Sequence, residues 1–191
     1  MRVLSVLALA AVVACRSHAP NDRLTKLAID AAAGDTEARY NLAVELYRGD
    51  SIPRDYSRAA ALWKQGMERG NINATNNYAY LLYYGLGIAR DQGQAVALWK
   101  RAAALGQAES QYHLGVAALD GGGESADTSE ALARFKAALA LALRSSDPTD
   151  HLVARDVRTA MRALPTLAQG ERARADSLSR VYVGGDVQTR N

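Results

Sequence analysis

The sequence predicts an all-α fold: a right-handed α-solenoid of helix-turn-helix hairpins, about three repeats of 36 residues, closed by capping helices. Three observations predict it. Written in rows of 36, the chain aligns without gaps, so that Leu42, Tyr78 and Leu114 coincide, as do Gly49, Gly85 and Gly121, Asp55, Asp91 and Asp127, and Trp63, Trp99 and Phe135. Within each row the apolar residues recur at helical spacing, as at Ala38, Leu42 and Leu46. The composition agrees: 49% apolar, 23% charged and only four prolines describe a folded, helix-favouring chain.

The N-terminus reads as an address. Met1 and Arg2 precede an apolar run, Val3 to Val13, that suits the core of a signal peptide. It is too short to span a bilayer as a helix, which takes about 20 residues. The run ends in Val12-Val13-Ala14-Cys15, which resembles the bacterial lipobox. That resemblance implies residues 1–14 as a lipoprotein signal peptide, cleavage before Cys15 and lipidation of its thiol. Two or more acyl chains hold a protein stably at a membrane, whereas one holds it weakly. Cys15 is the lone cysteine, so no internal disulfide and no thiolate zinc site is available. Residue 16 is arginine rather than aspartate, which by the enteric sorting rule points to the outer membrane, facing the periplasm. Residues 15–22 form a lipidated polar tether.

Residues 23–34 read as a capping half-repeat, because Leu24 to Ala33 precedes Gly34 as each second helix precedes its glycine. Three repeats follow, at 35–70, 71–106 and 107–143. Helix A is expected over 36–48, 72–84 and 108–120. The column Ala43, Ala79 and Gly115 is small in every row and admits a close neighbour. Gly49, Gly85 and Gly121 stop helix A, since glycine adopts a left-handed cap without a Cβ clash. Ile52 and Ile88 plug the hairpin's open end. Asp55, Asp91 and Asp127 cap helix B, and Gln94 and Glu130 complete two capping-box patterns. Helix B buries Ala59, Trp63 and Gly66, then Ala95, Trp99 and Ala102, then Ala131, Phe135 and Ala138; Gly70 and Gly106 close it. No single hairpin hides its apolar face, so neighbours must stack. After Ser145-Ser146-Asp147-Pro148, residues 149–182 supply the C-terminal capping helices, and 183–191 a frayed tail.

With these columns in place the chain resembles the Sel1-like repeat, a relative of the tetratricopeptide repeat. The second row carries the resemblance best, with Ala74, Tyr83, Gly85-Leu86-Gly87-Ile88, Asp91, Ala95, Trp99, Ala102-Ala103 and Gly106. The first departs at Asp50-Ser51. The third departs at Gly121-Gly122-Gly123-Glu124 and at Ala142, which replaces the closing glycine. The resemblance covers residues 24–143 and implies a protein-binding scaffold whose concave groove is lined by helix A.

No catalytic constellation is visible. His18, His113 and His151 belong to different elements, and no HExxH, phosphate-binding loop, paired cysteines or GxSxG is present. The chain reads as not an enzyme, with no cofactor and no metal. The net charge of +3 is spread along the chain without the basic stripe of a nucleic-acid binder. What remains is the helix-A surface. Seven of the nine tyrosines lie on helix A. Candidate partner-binding residues are Tyr40, Asn41, Asn76, Asn77, Tyr80, Tyr84, Tyr112 and His113. Aromatic rings supply contact area at low entropy cost, and amides bond an extended backbone. The resemblance adds that an asparagine in the Asn41/Asn77 column contacts peptide in related repeats. Tyr40, Tyr80, Tyr84 and Tyr112 read as groove residues, with packing between neighbouring A helices as the alternative. The expected function is a lipid-anchored periplasmic adaptor for a protein or peptide partner, held to a membrane by its lipid. The rivals are a structural protein bound to the peptidoglycan wall and a wall-directed hydrolase.

Overall fold

The structure, a computed structural model, describes residues 22–122 and 126–184. The leader, Cys15, the tether through residue 21 and the tail from 185 lie outside the described residues. Among the described residues every regular element is an α-helix: α1 (Asp22–Ala33), α2 (Thr36–Arg48), α3 (Tyr56–Glu68), α4 (Ile72–Tyr84), α5 (Gln92–Ala104), α6 (Ala108–Asp120), α7 (Thr128–Arg144), α8 (Asp150–Ala163) and α9 (Gln169–Gly184). The fold class is the all-α solenoid of helical hairpins. The helices divide into two compact units. The first ends at Leu81 and takes in Gly85–Arg90; the second holds Leu82–Tyr84 and everything from Asp91.

Helices α2, α3 and α4 each start on a side-chain cap. Asp35 accepts from the Ala38 amide at 2.7 Å, Asp55 from Arg58 at 2.9 Å and Asn71 from Ala74 at 2.8 Å. Helix α2 ends where Gly49 turns left-handed at φ 74° and returns its N–H to the Glu45 carbonyl. The core of this unit gathers Ala43, Ala59, Ala60 and Trp63, all buried, with Ile52 and Ile88 packed half-buried against it. Tyr47 sits at the centre of an aromatic group, its ring 5.6 Å from Trp63, 5.5 Å from Tyr56 and 6.1 Å, edge-on, from Tyr80. The Trp63 indole N–H is buried with no acceptor among the described residues.

The second unit repeats the scheme and then changes it. Asp91 accepts from the Gln94 amide and Asp127 from that of Glu130. Gln107 makes no side-chain cap for α6. The aromatic column is filled by Trp99, 5.1 Å from Tyr83, and by Phe135. Glycines Gly70 and Gly106 lie just past the 13-residue helices α3 and α5 with φ of 84° and 85°. Ala142 occupies their column in the third repeat, and α7 accordingly runs on to 17 residues. It stops at Arg144, ahead of Asp147-Pro148. Helix α8 buries Ala154 and Val157 beside Phe135, Ala138 and Ala142. Helix α9 continues through Gly184, past the position where the sequence suggested fraying.

One local expectation is corrected. The capping boxes at Gln94 and Glu130 form by half only. Each cap aspartate spends its own N–H on the preceding helix: Asp55 to Leu46 O, Asp91 to Leu82 O and Asp127 to Ala118 O, each at 2.9 Å. The amide that a capping box would satisfy is already bonded, and the Glu130 carboxylate goes elsewhere.

Candidate functional site

The A-helix residues singled out by the sequence fall in both units. In the first unit Asn77 donates from Nδ2 to the Tyr40 hydroxyl at 3.2 Å and accepts from Asn76 Nδ2 at 3.3 Å. Asn76 is 1% exposed, so its amide lies inside the fold and not on a surface. Tyr80 closes edge-on against Tyr47, whose phenol is pushed above its ordinary range by burial and then by the hydrogen-bonded Tyr80. Asn41 is half-buried, and its amide makes no hydrogen bond among the described residues. Four of the five candidates here are thus knitted into the hairpin packing, and Asn41 is half-buried without such a bond.

In the second unit His113 stacks on Trp99, ring centroids 4.9 Å apart at 20°, with Glu109 one turn back at 3.8 Å. Tyr112 packs 5.8 Å from Phe135 as part of that core. Tyr84 is different: it is 44% exposed, with its ring 5.1 Å from that of the buried Tyr83, edge-on. The packing account therefore explains Tyr112 and His113, while Tyr84 is an aromatic held at the surface.

Sequence reasoning missed a polar network in the second unit. Arg134 of α7 donates to Glu130 at 2.8 Å and to Gln111 at 3.1 Å, and its guanidinium lies 3.6 Å from the centre of the Tyr182 ring. Tyr182 of α9 donates to the Glu130 carboxylate at 2.7 Å. Its phenol is pushed up to about 12, first by burial and then by that bond. Arg174 pairs with Asp127 at 3.0 Å, and Lys136 pairs with Asp176. A cleft of about 280 Å³ opens beside the network, lined by Val96, Leu114, Ala117, Glu130, Arg134 and Arg174 among others. Three cations, Lys100, Arg134 and Arg174, and two carboxylates, Asp127 and Glu130, line it. No group of three or more His, Cys, Asp or Glu able to hold a metal occurs among the described residues. None of their helices is long and apolar enough to cross a membrane.

Comparison with known proteins fits this architecture. The model of the Sel1 repeat matches residues 36–71, 72–107 and 108–142, more than half of the chain. No curated protein matches. Among solved structures, a Sel1 repeat protein from Oxalobacter formigenes is similar with a TM-score of 0.56 at 17% identity, over 91% of this chain and 66% of that one. A protective antigen of uropathogenic Escherichia coli strains displaying an SLR fold gives 0.47 at 17% identity, over 97% of this chain and 46% of that one. The chain thus spans less than two thirds of either structure's length, and at these identities the likeness concerns the fold alone.

Proposed function

We propose that this chain, which belongs to the Sel1 repeat family, is a lipid-anchored adaptor that holds a protein or peptide partner in the bacterial periplasm. Sel1 repeats generally serve as protein-interaction scaffolds and typically carry no catalysis of their own. The finer reading rests on two features. The apolar run ending at Cys15 supplies the anchor, with the outer membrane as its site. The observation that carries partner binding is the 44% exposure of Tyr84 at the end of an A helix, a large aromatic of the kind that anchors binding surfaces. Half-buried Asn41 on α2 carries an amide of the kind that bonds an extended backbone.

The test has two arms. Cys15→Ala is expected to move the protein from the membrane to the soluble fraction, and unchanged fractionation would remove the anchor. A photo-crosslinking residue placed at Tyr84 or Asn41 in the native cell is expected to trap one common species that the same residue at exposed Arg158 does not trap. Equal trapping at all three positions would end the assignment of these side chains to a partner.

A further inference from the structure

Helices α8 and α9 both lie against α7, hardly touch each other, and are held by different forces. Helix α8 is held by apolar burial. Ala154 and Val157 are enclosed, and Val153, Met161 and Leu164 pack around Phe135 and Ala138. Helix α9 fully buries one side chain, Ala175. Its remaining anchors are polar and reach across to α7: Asp176 to Lys136, Arg174 to Asp127, and Tyr182 to Glu130 and Arg134. Glu130 and Lys136 bracket Ala133 on α7, and Tyr182 and Asp176 lie C-terminal to Ala175 on α9. On α7, Ala133 and Ala137 lie in and beside that span, both wholly enclosed. Alanines bury little area each, and the larger apolar residues of α9, Leu178 and Val183, are only half-buried, so the apolar contribution to holding α9 is small. Most of the latch is part-exposed: the Lys136–Asp176 side chains are 33% and 52% exposed, and those of Arg174–Asp127 are 59% and 31%. Pairs of this kind are weak and are screened by salt. A short segment, Leu164 to Ala168 with Pro165, links α9 to α8, so α9 can leave without dragging α8.

We propose that α9 is a charge-latched strap that leaves α7 as ionic strength rises, uncovering the Ala133–Ala137 face and the cleft beside Arg134. The strap works independently of which partner the A helices bind. In a protein at a cell envelope, it couples exposure of this face to the surrounding salt.

Hydrogen exchange on the full chain, at about 0.05 M and about 1 M NaCl, tests it, because screening shortens from about 14 Å to about 3 Å between them. The amides of 174–184 are expected to exchange about tenfold faster at the higher salt, while those of α7 and α8 change less than about twofold. The double variant Lys136→Ala, Arg174→Ala is expected to exchange fast in α9 at both salts with α8 still protected. Equal or slower exchange of α9 at high salt overturns the proposal. So does a rise of the same size in α7 and α8, which would mean that the whole unit loosens together.

Discussion

Trp63 and Phe135 fill the same column of the repeat, one in each unit, and they are packed by different means. Trp63 leans on Tyr47, which draws in Tyr56 and Tyr80, and the small residue beneath is an alanine, Ala43. In the third row the tyrosine of that column is Leu119, which is 36% exposed and gives Phe135 no ring to meet. Phe135 turns to Tyr112 and settles on Gly115, so closely that a Cβ there would stand 2.5 Å from its ring. One repeat builds its core from a pair of large aromatics. The other builds it from a smaller ring pressed onto a backbone. A column in the alignment thus specifies a volume to be filled and leaves open which neighbours fill it.

The strongest way to break this comparison is Phe135→Ala. Removing a wholly buried ring is expected to cost about 3–5 kcal/mol, and chemical denaturation with hydrogen exchange should show the loss first in α6–α8. Next in size, Gly115→Ala is expected to cost about 1–3 kcal/mol, because the new methyl meets the Phe135 ring. Pairing it with Phe135→Leu should return part of that loss, and an additive double variant would show that ring and glycine are not coupled. Acid should separate the units more gently. Asp127 is held below its ordinary value of 3.8 by the Glu130 amide and then by Arg174, and Asp176 is lowered by Lys136. Stability from a lowered carboxylate is present above the unfolded value and lost as pH falls through the folded one. Protection of α9 is therefore expected to be full at neutral pH and to fade below about pH 4, ahead of any change in α2 and α3. The smallest effect is expected for Trp63→Phe, within about 1 kcal/mol in thermal unfolding, since lost bulk is offset by removing a buried N–H that has no acceptor.

Much of the fold was legible because the repeat states each instruction three times. The extents of α2, α4 and α6, the left-handed glycines and the cap aspartates are all local and periodic. The caps Asp35 and Asn71 were missed although they stand three residues ahead of Ala38 and Ala74, where any polar acceptor can serve. The capping boxes were over-read because a local pattern cannot reveal that a distant carbonyl has already taken the amide. The candidate site was less legible. Tyrosine and asparagine look the same in a sequence whether they face a partner or a neighbouring helix, and only burial distinguishes Asn76 from Tyr84. The α7–α9 network has no periodic signature at all: Glu130 and Tyr182 are 52 residues apart and meet once.

The overrun of α7 has an effect on assembly. Its 17 residues exceed the usual 13 by four, which carries the exit of the chain about 6 Å farther along the axis and about 40° around it. Whatever follows therefore starts from a different register than its predecessors. With alanine at position 142, the chain leaves α7 one turn later, and α8 packs from that exit beside Phe135, Ala138 and Ala142.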